Sequence, residues 1–343
     1  MSVISKEKLK HIVLDHGTGG KLSGELIGAI TERLGEVHVG KLEDSAILPI
    51  GAGRIAVTTD SFVIDPIFFG NGNIGHVAVC GTVNDLAVSG ATPKYLTLAF
   101  VLETGFPVED LERILDAIRE AAKEAGVLIV AGDTKVVRKG EVDKIFINTA
   151  GVGEFAPDAR SYSVSQIRPG DHVIVTGELG NHSIHILSIR EGLGFETKIK
   201  SDCAPLNKLI ADLNGSFSEH IHTIRDITRG GLGTVLNEIA AAVGRGISVE
   251  EQKLPILHET AMAANMLGVN PLYLANEGNL ILFVAPEHSA AIVERIRQNP
   301  YGRSAAVVGV VDETTDTRVH LTSKNGETKT IDLLYGAELP RLC

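Results

Sequence analysis

The chain ends on a cysteine. Cys343 sets a thiol beside the terminal carboxylate, after a stretch from Leu333 to Leu342 that has neither helical nor strand period. Such an arm can carry one nucleophile to more than one place; a frayed end with an incidental cysteine is the alternative. The other residues able to do chemistry are acids in unusual settings. Asp85 lies in an apolar, small-residue stretch with Ala78, Gly81 and Ala87, where an unpaired carboxylate is costly and a cation or a hydrogen-bond network has to compensate. Asp44, Asp60 and Asp133 stand at strand ends or turns. Carboxylates with no clustered His or Cys suit a hard cation such as Mg²⁺, which shares its shell with phosphates. In Asp15-His16-Gly17-Thr18-Gly19-Gly20-Lys21, glycines let backbone N–H groups turn toward an anion. This is no Walker A loop and no dinucleotide fingerprint, because Asp15 and Leu22 occupy the positions those need, and a flexible turn is the plainer reading. Lys135 closes Gly132-Asp133-Thr134-Lys135 at the end of an apolar run. Asp226 lies between Arg225 and Arg229, ahead of Gly230-Gly231, and Glu277 sits in Asn276-Glu277-Gly278-Asn279.

The remaining histidines and cysteines point nowhere specific. His182 and His185 are three apart on a helix but lack a third ligand, so they read as surface or capping residues, as do His220 and His222. Cys80 and Cys203 read as buried packing residues, with no disulfide framework and no CxxC knuckle.

The elements that must hold these residues alternate along the chain. Strands are expected at Ile55 to Thr59, Leu96 to Leu102, Val127 to Ala131 (buried), Ile145 to Val152, His172 to Thr176, Leu280 to Val284 and Ala305 to Val311. Helices are expected from about Gly75 to Ser89, from Val108 to Ala125 with Gly126 as its cap, and at Leu206 to Leu213, Gly231 to Val243 and Glu287 to Gln298. Hairpin-length gaps exclude a purely parallel sheet, leaving an α+β chain of two domains with related layouts and a boundary near Pro157 to Pro169. With 32 Lys and Arg against 43 Asp and Glu the net charge is −11, which argues against nucleic acid or an anionic membrane as partner. No run approaches a membrane span, and three cysteines fit a reducing cytoplasm.

Several stretches match a known pattern in order: HGTGG, TTDSFVIDPIFF from Thr58, CGTVNDLAVSGATPKYL from Cys80, AGDTKVV from Ala131, SDCAPL from Ser201, DITRGGL from Asp226, NEG from Asn276 and the terminal PRLC. Over nearly its full length the chain resembles the HypE family of hydrogenase maturation factors, the carbamoyl dehydratases. It departs from that pattern at Asn181-His182-Ser183, usually Asp-His-Gly, and at Leu342, usually isoleucine. The resemblance implies a PurM-like fold, related to aminoimidazole ribonucleotide synthetase, with an ATP-binding and dimerisation domain over 1–156, an α/β domain over 157–331 and a mobile tail over 332–343. It implies a homodimer with ATP near the interface, a carbamoyltransferase partner, HypF, that loads Cys343, and a HypC–HypD complex that takes the cyano group to iron. It implies ATP and Mg²⁺ as cofactors, with Asp44, Asp60, Asp85 and Asp133 at the metal and phosphates. Gly17, Gly19 and Gly20 lie by the nucleotide, which Asn84 and Asp226 help to fix. Glu277 is implied as base or base partner, and Lys135 as proton relay or electrostatic clamp. Two rivals remain: a related ATP enzyme of the selenophosphate or aminoimidazole ribonucleotide synthetase type, and a non-catalytic carrier that presents Cys343.

Overall fold

A computed structural model describes residues 20–34, 43, 45–51, 53–334, 336, 339 and 341–343. Gly17, Gly19 and Asp44 lie outside the described residues. The first half is helix α1 (Gly20–Leu34), strands β1 (Ala46–Ile50) and β2 (Gly53–Phe62), helix α2 (Ile74–Val88), strand β3 (Thr92–Glu103), helix α3 (Val108–Ala125), and strands β4 (Leu128–Val137) and β5 (Ile145–Glu154). Its sheet runs β1-β2-β5-β3-β4, parallel only between β3 and β4. The second half is β6 (His172–Val175), α4 (Asn181–Glu191), α5 (Asn207–Phe217), β7 (Ile221–Asp226), α6 (Gly231–Val243), β8 (Ile247–Glu250), α7 (His258–Leu267), β9 (Leu280–Val284), α8 (Ser289–Arg297), β10 (Ala306–Val311), β11 (Val319–Thr322) and β12 (Thr328–Ile331). Its sheet runs β12-β11-β8-β10-β6-β9-β7, again mixed, with β8 and β11 parallel. Both halves are therefore α+β. Among the described residues no helix is long and apolar enough to cross a membrane.

Helix α2 joins the halves. It is apolar on nearly every side, as a helix buried all round must be, and packs on β2, β5 and α3 of its own half and on α5 and β7 of the other. Asn73 caps it, its Oδ1 accepting from the N–H groups of Gly75 and His76 at 2.9 and 3.3 Å. Glycines make room for it. A Cβ on Gly75 would come within 2.6 Å of the Ile114 carbonyl on α3, and one on Gly151 of β5 within 2.8 Å of Thr82 and Leu86. Helix α3 is amphipathic and ends on Gly126 at φ 76°, as the sequence indicates, but Leu115 is turned out of its apolar face.

Strand β4 departs from expectation. It continues through Asp133 and Lys135 to Val137, so those residues lie within a strand instead of beyond its end. Nor is it buried: it is an edge strand, and within one chain Leu128 and Val136 are 64% and 66% exposed. The apolar run that reads as a core strand is a sheet edge left open on both faces.

Because α2 and α3 touch through Gly75, Gly75→Ala should lower stability by about 1–3 kcal/mol, read as a lower denaturation midpoint. Gly215→Ala in α5, where a Cβ meets nothing within 4 Å, should raise it by about 0.5–1 kcal/mol.

Candidate active site

Strand β2 and helix α2 bring two acids together. Thr58 and Asp60 are two residues apart on one face of the strand; Gly81 and Asp85 are one turn apart on the helix side facing them. Thr58 Oγ1 donates to Asp85 at 2.9 Å, and a Cβ on Gly81 would lie 3.5 Å from Asp60 Oδ2, so the missing side chain leaves room for the carboxylate. From the other half, Asp226 ends β7 and Arg229 follows it. Gly230 and Gly231, at φ 75° and 62°, turn the chain into α6 there. Glu277 precedes β9. Thr58, Asp60, Gly81, Asp85, Asp226, Arg229, Glu277 and Cys343 line one cavity of about 740 Å³, together with Gly20 and Ser23 of α1. Gly20 needs to be glycine: its φ is 77°, a Cβ would meet the Leu334 carbonyl, and Lys21 N–H donates to that carbonyl at 2.8 Å.

The acids crowd one another. Burial raises the carboxyls of Asp60 and Asp226, with Arg229 opposing both. Glu277 is 4% exposed, and among the described residues its Oε1 has no hydrogen-bond partner. Burial, then Asp202, Asp60 and Asp226, hold its carboxyl well above the usual range, while Arg229 pulls the other way. Burial first, then Glu277, push the Cys343 thiol up to about 12. In this position the thiol is neutral and a poor nucleophile.

Cys343 is there because the end of the tail is docked. Val63 N–H donates to the Cys343 backbone oxygen at 3.0 Å and Asp65 N–H to the Arg341 carbonyl at 3.1 Å, so the last residues are held by backbone bonds alongside the segment that follows β2. Arg341 donates to Val63 O at 2.7 Å and pairs with Asp143 at 2.6 Å; Arg190 donates to the Arg341 carbonyl. Leu342 is buried in the first-half core. His182 Nε2 lies 2.7 Å from the Leu342 carbonyl and Nδ1 2.7 Å from Ser201 Oγ. A carbonyl only accepts, so Nε2 carries the proton and Nδ1 accepts from Ser201. Burial holds this imidazole down to about 4, keeping it neutral, against the raising effect of the Leu342 carbonyl.

Two family models match the chain: AIR synthase related protein, N-terminal domain, over residues 42–155, and the corresponding C-terminal domain over 168–322. The carbamoyl dehydratase HypE of Rhizobium leguminosarum bv. viciae is 43% identical over 335 residues, 97% of this chain and 95% of that protein. The chain belongs to the HypE family of carbamoyl dehydratases. Solved HypE structures agree with it in fold. HypE from a HypE–HypF complex has a TM-score of 0.83 at 42% identity, covering 92% of this chain and 100% of that one. HypE in complex with ATP has a TM-score of 0.82 at 40% identity, covering 97% and 100%.

Within this HypE-family chain the expected site residues divide. Gly20, Asp60, Asp85, Asp226, Glu277 and Cys343 share the cavity. Asp133 and Lys135 do not. They pair with each other at 2.8 Å on β4, both largely exposed, and Asp133 is in register with Ser61 across three strand spacings, roughly 14 Å. Asn84 is also elsewhere. Its Nδ2 donates to Ala204 O at 3.0 Å and its Oδ1 accepts from Leu206 N–H at 2.7 Å, so its polar atoms hold the 204–206 backbone and face no nucleotide space. His182 and His185 are buried, not surface residues: His185 bridges Ile199 O and Phe69 O, and His182 holds the tail. His222 is buried on Asp171 at 2.7 Å. Asn181, at the first departure from the family pattern, bonds Glu178 and Thr260 and lies away from the cavity. Sequence reasoning missed Asp202, took His182 for a surface or capping residue, and placed Arg229 beside an acid without giving it a role in the site. The signal for Arg229 was its place just before Gly-Gly at a helix start.

Two outcomes are expected. A carboxyl raised in the fold contributes stability at low pH that is lost as pH rises through the raised value. Glu277→Gln removes that loss, so its melting temperature should exceed wild type by a margin that grows as pH rises above the ordinary carboxylate range. His182→Ala should free the tail and speed alkylation of Cys343, measured by peptide mass; an unchanged rate would count against the docking bond.

Proposed function

We propose that the chain dehydrates a carbamoyl group carried on Cys343 to a cyano group at the expense of ATP, supplying the cyanide ligand for the iron of a [NiFe] hydrogenase. One observation carries this reading: the Cys343 thiol lies in a cavity with Glu277, whose Oε1 has no hydrogen-bond partner among the described residues, and with Asp60, Asp85, Asp226 and Arg229. In Cys–S–C(=O)–NH₂ the oxygen is a poor leaving group. Transfer of the γ-phosphoryl group of ATP to that oxygen lets it depart as phosphate, and the two nitrogen protons leave as the C≡N bond forms. Glu277 is the base. Its raised carboxyl suits proton uptake, and Arg229 steadies the charge that develops beside it.

Asp60 and Asp85 fit a hard divalent cation, since two carboxylates meet on the cavity wall with a hydroxyl, Thr58, already turned to one of them. Such a cation, Mg²⁺, supplies charge neutralisation at the phosphates. Gly20, at the start of α1, suits those phosphates by its backbone N–H, and Gly17 and Gly19, which precede it in the sequence and lie outside the described residues, are proposed for the same role. Asp44 completes the acidic set proposed for the metal, and Asp226 helps to fix the nucleotide.

Asp133 and Lys135 enter through a second copy of the chain. The exposed apolar edge β4 is what an unpaired chain would have to cover, and a homodimer closing on it brings these residues to a nucleotide site near the interface. Lys135 is then relay or clamp for the thiocarbamate. The high thiol value of the docked tail supports loading elsewhere. Cys343 takes its carbamoyl group from a HypF-type transferase with the tail outward, returns for dehydration, and goes out again to a HypC–HypD-type acceptor.

The test is the mass of the tail peptide after loading and incubation with ATP and Mg²⁺. Wild type should lose one water. Glu277→Gln should accept the carbamoyl group and keep its water, with dehydration slowed about 10²- to 10⁴-fold. Dehydration of Glu277→Gln at the wild-type rate would remove it from the mechanism. Asp60→Asn and Asp85→Asn should weaken Mg²⁺-dependent ATP binding by calorimetry, and Val130→Lys on β4 should give a monomer in sedimentation.

A further inference from the structure

Away from the cavity, α2 presents His76, Cys80 and Asn84 at successive four-residue steps along one side. Asn84 clamps the backbone of Ala204 and Leu206, and that clamp brings Cys203 down onto Cys80 and His76. The ligand atoms of His76, Cys80 and Cys203 all lie within 4.8 Å of one another, and both thiols are buried. Tetrahedral zinc with bonds of about 2.3 Å to sulfur needs roughly 3.8 Å between two thiolates, within reach of a small closure. We propose that His76, Cys80 and Cys203 form a binding site for a soft divalent cation, zinc by its donor set, with a water or the neighbouring Glu124–Tyr301 pair in the fourth position.

Charge and access favour a metal at this place. A dipositive ion with two thiolates and a neutral imidazole sums to zero, which a buried setting tolerates. Each thiol gives one proton to solvent on binding, so uptake releases two protons and strengthens with pH. His76 is only partly buried and opens the way in. Tyr301 donates to Glu124 beside the cluster, tying the second half to α3.

The segment that carries Cys203 is tied to the tail and to Glu277. Cys203 N–H donates to Ser201 Oγ at 3.2 Å, and Ser201 holds the His182 that holds Leu342. Asp202 accepts from Glu277 N–H at 3.0 Å and from Asn279 at 3.0 Å. Gly278 packs so closely that a Cβ there would overlap the Asp202 carbonyl. A metal on Cys203 therefore fixes the segment from which both the tail and the base are hung.

The experiment is a Co²⁺ titration of the reduced, full-length Cys343→Ser protein, which removes the tail thiol as a competing ligand. One Co²⁺ per chain should bind with a thiolate-to-cobalt charge-transfer band, be displaced by Zn²⁺, and release two protons. The band should vanish in a Cys203→Ser background and weaken at least tenfold in affinity in His76→Ala. Where a variant fails to fold, X-ray absorption of the Zn²⁺-loaded parent decides: a shell with two sulfurs at about 2.3 Å and a nitrogen near 2.0 Å is expected. A folded, reduced parent that gives no band, a band that survives Cys203→Ser, an absorption shell without sulfur, or a Cys80–Cys203 disulfide in place of metal uptake would each overturn the site.

Discussion

Negative charge packed around a sulfur is the constraint on which the site depends. Asp60, Asp85, Asp226 and Glu277 come from three elements and one loop, and Arg229 is the cation whose field reaches Cys343, Asp60, Asp226 and Asp85 alike. In a buried space such a set cannot all ionise, so the cavity holds on to protons. A divalent cation between Asp60 and Asp85 would invert that balance, drawing protons off the acids at the moment a nucleotide arrives. The same crowding keeps the docked thiol neutral. A sulfur already bearing a carbamoyl group has no proton to lose, so the cavity accommodates the loaded tail at less electrostatic cost than a thiolate.

The second half supplies the control of position. Strand β9 and the 201–206 segment meet where Gly278 lets two backbones touch, and Asp202 there both orients Glu277 and raises its carboxyl. One residue earlier, Ser201 sets the tautomer of His182 and with it the donor that grips the Leu342 carbonyl. Glu277, the proposed base, and the tail are thus both held from adjacent residues. A shift of this short segment moves both together, and α2 restrains it through Asn84.

Much of the scaffold was legible in the sequence, because α3 and α6 carry a helical period and end on glycines, while α2 and the central strands read as apolar runs of the right length. The pairing of Asp60 with Asp85 was legible as a need for compensation, though not as a geometry, since it depends on which strand α2 packs against. Strand β4 misleads because an apolar run has the same composition whether a core or another chain covers it. Asn84 misleads for a related reason: a buried polar residue beside an acid reads as part of that acid's site, yet a single residue's step around the helix, about 100°, points it at a loop 120 residues away. His182 and Cys203 gave no local signal, because their partners lie at the far end of the chain or in the other half.

Leu342 makes the tail a ligand tethered to its own receptor. Burying one leucine is worth about 1.5–3 kcal/mol, and a few hydrogen bonds of about 1 kcal/mol each add to it. From the leucine and one bond alone, about 2.5–4 kcal/mol, the free arm is then a minor population, on the order of one part in seventy to one in nine hundred. Any enzyme that captures the outward arm binds with its intrinsic affinity reduced by that fraction. Traffic of the arm is therefore set as much by the hydrophobic seat of the penultimate side chain as by the chemistry of the last one.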